Sequence, residues 1–498
     1  MDLFHNLVFG FSVALSFQNV LYCFIGCLLG SLIGVLPGIG PLATVAMLLP
    51  LTFSIPPVAA LIMLAGIYYG AMYGGSTTSI LVNLPGETAS VVTCIDGYQM
   101  ARQGRAGPAL AIAAIGSFFA GTVCTLIIAV FGPPLAELAF EFRAPEYFSL
   151  MLMGLIAAAV LAQGDMSKSL AMVALGLLFG IVGTDVSTGV QRFSFNILEL
   201  ADGISFVVIA VGVFALGEII SNLGKKEERT VFTSKVTHLF PTKEDMKRSV
   251  GPIIRGTALG AFFGVLPGTG PAIASFSSYM VEKKLSKDPS RFGRGAIEGV
   301  AGPESANNAD AQCKFIPMLT LGIPASGTMA IMLGALMIQG ITPGPQVMVQ
   351  NPDLFWGLIA SMWVGNLMLI VLNLPLVGLW VSLLKIPYRL LFPAIMSFSV
   401  IGVYSVNTSA FELNLAAFFG VLGFLWLKFG CPAPPMLLGF VLGPILEENL
   451  RRALLLSRGD PSVFVTRPIS LAFIIVTVLI LVTMALPVVS KRRRQITD

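Results

Sequence analysis

Two glycine–proline phrases carry the chemistry of this sequence. Gly34-Val35-Leu36-Pro37-Gly38-Ile39-Gly40-Pro41 returns 230 residues later as Gly264-Val265-Leu266-Pro267-Gly268-Thr269-Gly270-Pro271, with one difference in eight. Each lies inside an apolar run, Leu21 to Phe53 and Gly256 to Met280. Proline removes a backbone donor and clashes with the preceding turn, and glycine is costly within a helix, so neither run continues as one helix. In lipid such a break persists only where protein or a wet cavity satisfies the freed backbone groups. A half-helix N-terminus there offers N–H groups and a partial positive charge to an anion such as a carboxylate. Carbonyls released at Pro37, Gly38, Pro267 and Gly268 offer oxygen to Na⁺ without an acidic side chain.

Small polar residues stand close to both breaks. Ser76, Thr77, Thr78 and Asn83 follow the first, and Ser326 and Thr328 the second. Glu304, Asn307 and Asn308 fall at i, i+3, i+4 spacing, so one helix face presents a carboxylate and two amides, a set suited to a cation or to hydrogen bonding with substrate. The candidate substrate contacts are therefore Gly38, Gly40, Pro41, Ser76, Thr77, Thr78, Gly268, Thr269, Gly270, Pro271, Ser326 and Thr328. The candidate cation contacts are Pro37, Asn83, Pro267, Glu304, Asn307 and Asn308. The competing reading is structural: hydroxyls and amides bond helix to helix in lipid, and Glu304 with its neighbours can serve as caps. Glu87 and Asp96 read as interfacial caps, Arg255 as a snorkelling side chain, and Asp185, Glu199, Asp202 and Glu218 as solvated segment ends. Lys314 is the in-segment lysine near the motifs.

The elements that must position these residues are membrane helices. Of 498 residues 55% are hydrophobic and 11% charged, with a mean hydropathy of +0.86. A soluble protein carries roughly 25% charged residues. The fold expected is an all-α polytopic membrane protein of about 10–12 transmembrane segments, with broken or re-entrant helices at the midplane. The net charge of +4 sits in loops and at the tail and points to no nucleic-acid partner. Two histidines, His5 and His238, leave little for a metal site or a catalytic triad, and the lack of a nucleophile–base–acid set argues against a membrane enzyme. The six cysteines include no CxxC, and Cys23 with Cys27 reads as packing on one helix face. No basic n-region or small-residue cleavage site marks residues 1–17, so they read as mature chain.

The chain divides into a first repeat (1–222), a hydrophilic cytoplasmic linker (223–249), a second repeat (250–467), and an extra C-terminal helix with a basic tail (468–498). Pro324 matches Pro85, nine residues off the register of the first pair. Equivalent loops differ in charge: Leu49 to Ala60 is uncharged where Glu282 to Arg294 is basic, and Arg102 and Arg105 answer an uncharged Gly340 to Asn351. Because Lys and Arg mark cytoplasmic loops, the two repeats are expected to be inverted, the plan of many secondary transporters. Arg451, Arg452, Arg458 and Arg467 strain this topology, since a spanning 468–489 with an internal Lys491–Arg494 tail places them outside.

Taken together, Gly34–Pro41 with Leu49-Pro50-Leu51-Thr52-Phe53, Tyr73-Gly74-Gly75-Ser76, Asn83-Leu84-Pro85-Gly86-Glu87, Asp96-Gly97-Tyr98, Gly264–Pro271, Pro303-Glu304-Ser305-Ala306-Asn307-Asn308-Ala309 and Leu321-Gly322-Ile323-Pro324 form a specific pattern. Over essentially its whole length the chain resembles the TctA proteins, the large membrane subunit of tripartite tricarboxylate transporters. Gly302 stands where that family has alanine, and Ala325 where it has glycine. The resemblance implies cation-driven uptake, with Na⁺ as coupling ion and no other cofactor, of a di- or tricarboxylate across the bacterial inner membrane. It also implies a small TctB-like membrane subunit, a periplasmic TctC-like binding protein and elevator-like movement. The rival expectation is a carrier or channel for a non-carboxylate solute on the same plan.

Overall fold

The structure is a computed structural model that describes residues 3–36, 39–162, 165–185, 187–223, 239–383 and 388–485. It is helical almost throughout. The first half runs α1 (Leu3–Ala14), α2 (Phe17–Gly34), α3 (Pro41–Leu48), α4 (Pro57–Val82), α5 (Val91–Arg102), α6 (Ala106–Phe140), α7 (Ala144–Leu161) and α8 (Met166–Gly180). A two-residue hairpin, β1 (Gly183–Thr184) with β2 (Gln191–Arg192), leads to α9 (Phe206–Ile209), a π-helical stretch (Ala210–Leu216) and α10 (Gly217–Leu223). The second half continues with α11 (Lys243–Val265), α12 (Pro271–Leu285), α13 (Glu298–Cys313), α14 (Phe315–Leu321), α15 (Gly327–Ile338), α16 (Gln346–Gln350) and α17 (Pro352–Asn373). It closes with α18 (Val377–Leu383), α19 (Tyr388–Asn407), α20 (Ala410–Lys428), α21 (Ala433–Leu456), α22 (Val463–Thr466) and α23 (Pro468–Ala485).

Among the described residues seven helices are long and apolar enough to cross a membrane, and five more apolar helices are shorter. The chain is thus an all-α polytopic membrane protein. Proline and glycine cut several apolar runs into a long and a short piece, as at α2/α3 and α17/α18.

Glycine sets the closest helix contacts. A Cβ on Gly26, Gly30 or Gly34 would lie 2.3, 2.3 or 2.4 Å from the carbonyl oxygens of Met63, Ile67 and Ala71, so α2 and α4 meet backbone to backbone. The pattern recurs 230 residues on. A Cβ on Gly256, Gly260 or Gly264 of α11 would lie 2.2, 2.2 or 2.6 Å from the carbonyl oxygens of Gly302, Ala306 and Asp310 on α13. Those partners are shifted by 239 residues from Met63, Ile67 and Ala71, the same shift that separates Pro85 from Pro324. It also relates the left-handed ends of α4 and α14, Asn83 at φ 57° and Gly322 at φ 70°. The two halves therefore repeat a contact geometry as well as a phrase.

Three expectations about the chain change. First, residues 57–74 read from sequence as a spanning segment ending at Gly74-Gly75, yet α4 runs unbroken to Val82; Gly74 admits the backbone of Gly34 and Val35 rather than ending the helix. Secondly, α11 takes in Lys243 to Ser249 of the expected linker, because Thr242 and Asp245 form a reciprocal capping box. Residues 224–238, His238 among them, lie outside the described residues, as does the basic tail. Thirdly, the arginines that strained the topology are largely neutralised. Arg451 pairs with Asp185 (2.9 Å) and Glu447 (2.7 Å), Arg452 with Glu448, and Arg467 with Glu146.

Candidate functional site

The second break is visible in full. α11 ends at Val265, and Thr269 Oγ1 donates to the carbonyls of Phe263 (2.5 Å) and Leu266 (2.8 Å), satisfying that helix end. Gly268 takes φ +80° and donates its N–H to the Ala325 carbonyl (3.0 Å). Gly270 and Pro271 then open α12 as N-cap and first residue, a position where proline's missing donor costs nothing. At the first break Gly40 and Pro41 open α3 in the same way, whereas Pro37 and Gly38 lie outside the described residues. A third helix start joins them: Ser326 caps α15, its hydroxyl accepting from the Met329 N–H at 3.3 Å.

These three N-termini face one cavity of about 600 Å³. Gly40, Pro41, Gly268, Thr269, Gly270, Pro271, Ser326 and Thr328 all line it, so eight of the twelve candidate substrate contacts come together. No atom lies within 4 Å of where a Cβ on Gly40 or Gly270 would stand. The far wall is apolar, with Ala158 and Leu161 of α7, Val213 and Phe214 of the π-helical stretch, and Leu438 of α21. No lysine, arginine or histidine is among the described residues that line it, so the positive ends of helices are its cationic feature.

Ser76, Thr77 and Thr78 stand away from this cavity. Because α4 continues through them, their hydroxyls bond back to the carbonyls of Met72, Tyr73 and Gly74, and Thr78 also bonds the Val35 carbonyl at 2.9 Å. Asn83 is the left-handed end residue of α4, and Pro267 sits in the turn after α11. Glu304, Asn307 and Asn308 do share α13, but each engages a different neighbour. Glu304 accepts from Ser76 Oγ (2.6 Å) and from Thr93 Oγ1. Asn307 donates to Glu87 (2.8 Å), and Asn308 donates to Ser117 (2.7 Å).

The residue missed by sequence reasoning is Glu87. It is no interfacial cap: its carboxylate takes the Asn307 amide and its side chain lines the cavity, as does Glu218. The signal that finds it is the 239-residue shift, which sets Glu87 opposite Ser326, the cap residue of a helix start. Asp96 is a buried anchor. It accepts from the N–H groups of Gly293, Gly295 and Ala296 at 2.8–2.9 Å and from Tyr279 Oη at 2.9 Å, fixing the basic loop to α5. Arg255 is held by both oxygens of Glu282 (2.8 and 2.6 Å). Lys314 and Asp310, both fully buried, form an i,i+4 ion pair. Cys23 and Cys27 are buried thiols facing the carbonyls of Ser361 and Gly365.

The helical membrane fold, the doubled break and the cavity between helix starts define a polytopic membrane transporter. The tripartite tricarboxylate transporter TctA family matches residues 20–438, and the chain belongs to that family. It is 58% identical over 496 residues to an Agrobacterium vitis protein described as an "uncharacterized 52.8 kDa protein in TAR-I ttuC' 3'region", covering 100% of this chain and 99% of that one. A second A. vitis protein, from the TAR-II ttuC' 3' region, is 57% identical over 237 residues, which is 48% of this chain and 98% of the relative. No solved structure matches.

Proposed function

We propose that the chain is the transport subunit of a binding-protein-dependent system that takes up a di- or tricarboxylate across the bacterial inner membrane, driven by a Na⁺ gradient. The observation that carries the reading is the convergence of three helix N-termini on one cavity. Backbone N–H groups and N-terminal dipoles favour carboxylates at that point. They do so without a buried arginine, whose insertion costs about 2.5–3.5 kcal/mol at a helix centre. A volume of about 600 Å³ lies within the roughly 300–1,000 Å³ range of small-molecule sites. Glu87 and Glu218 on the wall, when ionised, repel a multivalent anion, so a cation that neutralises them favours substrate and supports coupling. TctB-like and TctC-like partners complete the system, the latter delivering substrate from the periplasm.

The test is uptake into proteoliposomes holding the chain and its partner subunits, using radiolabelled di- and tricarboxylates under an imposed Na⁺ gradient. Saturable uptake that collapses with the gradient is expected. Gradient-independent flux marks a channel, and preference for a neutral or cationic solute defeats the carboxylate assignment.

A further inference from the structure

A second, much smaller chamber has Leu110, Ala113, Ala114 and Leu374 as its apolar walls and, as its polar ones, Tyr73, Ser76 and Thr77 of α4, Ser117 of α6, Glu304 of α13 and Asn373 at the end of α17. Its volume of about 20 Å³ is room for a single water-sized body. All six polar side chains carry oxygen donors, and none brings a sulfur or a ring nitrogen. Two of the oxygens lack a partner. Tyr73 Oη is buried and makes no hydrogen bond. The Asn373 amide donates to Ser31 Oγ (3.3 Å) and the Leu369 carbonyl (2.9 Å), which fixes its orientation and leaves Oδ1 buried and unpaired. Unpaired buried acceptors are uncommon and costly in native proteins.

Charge points the same way. Glu304 is 1% exposed, and its side-chain partners, Ser76 and Thr93, are neutral hydroxyls. The nearest buried cation along α13, Lys314, is already paired with Asp310. A carboxylate with neutral partners at this depth needs one compensating positive charge, supplied either by a proton or by a bound cation. We propose that the chamber is a binding site for one dehydrated monovalent cation, Na⁺, with the Glu304 carboxylate supplying the charge and Tyr73, Asn373, Ser76, Thr77 and Ser117 the remaining oxygens. A single carboxylate neutralises a monovalent ion, whereas hard divalent ions gather several. Asn307, one turn along α13 from Glu304, holds Glu87 at the carboxylate cavity, so filling the chamber bears on both sites through one helix. The assignment of this ion as the coupling ion rests on the cation-driven reading above; its binding does not.

Binding of radiolabelled Na⁺ to the purified full-length chain, without carboxylate, tests the site directly. Saturable binding is expected in the unaltered protein. Tyr73→Phe removes a hydroxyl that bonds nothing, so the fold loses no contact, and it should weaken Na⁺ binding about tenfold. Glu304→Gln keeps the shape and should abolish binding. In the reconstituted system Tyr73→Phe should raise the Na⁺ concentration for half-maximal uptake by the same factor, leaving carboxylate affinity at saturating Na⁺ unchanged. Absence of Na⁺ binding in the unaltered chain, or equal binding by both variants, overturns the proposal and leaves a chamber that holds water. If uptake remains Na⁺-driven in that case, the transport reading stands without this site. Binding that Tyr73→Phe weakens and Glu304→Gln abolishes, alongside uptake indifferent to Na⁺, supports the site and defeats the coupling.

Discussion

Gly268→Ala is the sharpest perturbation the geometry offers. Gly268 sits at φ +80°, and a Cβ there would lie 2.5 Å from Ala158 Cα and 2.6 Å from the Ala157 carbonyl oxygen. The left-handed conformation costs a non-glycine residue about 1–2 kcal/mol. Overpacking against an unyielding backbone adds about 1–3 kcal/mol. The two terms together, about 2–5 kcal/mol, depopulate the observed break at least 30-fold. Relief requires the tip to leave α7, and that movement pulls Gly268 off the Ala325 carbonyl and displaces the cavity wall. Gly270→Ala is the matched control: φ is −90° and its Cβ meets nothing within 4 Å, so it enters the cavity without strain. Thermal unfolding followed by size-exclusion chromatography, together with uptake by the reconstituted system, separates them. Gly268→Ala should lower both thermal resistance and maximal uptake, and Gly270→Ala should change only the substrate concentration needed. Wild-type behaviour of Gly268→Ala, or unfolding caused by Gly270→Ala, refutes the assignment of strain and open space to these two glycines.

Three further outcomes are expected. Asp310→Asn should cost about 3–5 kcal/mol by leaving Lys314 charged and unpaired in the interior, whereas Asp310→Asn combined with Lys314→Met should recover most of the folded yield, read as monodisperse protein after extraction. The Asp185 carboxyl is held down to about 2, first by the Thr188 hydroxyl and then by the Ser187 N–H, Arg451 and Arg192. A depressed acid contributes stability above its usual value, so the β1–β2 hairpin should loosen as pH falls from about 4 toward about 2, seen as faster exchange of the Gly189 amide, and Asp185→Asn should erase that dependence. Single cysteines labelled with an impermeant reagent should place 283–294 and 102–105 in the cytoplasm and 53–57 and 342–350 outside; finding 53–57 and 283–294 on one side removes the inverted arrangement.

The cavity was legible where local chemistry left the backbone no alternative. Pro41 and Pro271 can begin a helix but not continue one, so the sequence points to two helix starts before any packing is known, whereas Ser326 reads only as a polar neighbour of the second break and its capping of α15 emerges from the fold. Ser76–Thr78 were misplaced because Gly74-Gly75 reads as a helix end, and only the opposing backbone of Gly34 and Val35 shows why glycine is needed within a continuous α4. Glu87 was misjudged for a related reason. A lone acid after Pro-Gly looks interfacial until Asn307, 220 residues away, is seen to hold it at the cavity. Local sequence does not single out the Tyr73 hydroxyl or the Asn373 amide oxygen, since their importance lies in each being buried without a hydrogen-bond partner.

Among the described helices α13 is the most polar of the long ones and also one of the most enclosed. Its residues from Gly299 to Cys313 are all buried, and they include Glu304, Asn307, Asn308, Asp310 and Gln312 with Val300 as the one large aliphatic side chain. Such a segment has no reason to partition from the insertion machinery into lipid by itself, since each acid costs about 2.5–3.5 kcal/mol at a helix centre. Its entry has to be cooperative, the glycine-lined face of α11 and the already inserted α4, α5 and α6 offering carbonyls, hydroxyls and apolar walls in place of acyl chains. Biogenesis then has a fixed sequence of events: the first half must be standing in the bilayer before the ion-handling helix can join it. A ribosome stalled just beyond α13 should therefore hold this helix at the membrane surface whenever the first half has been deleted, and bury it when the first half is supplied.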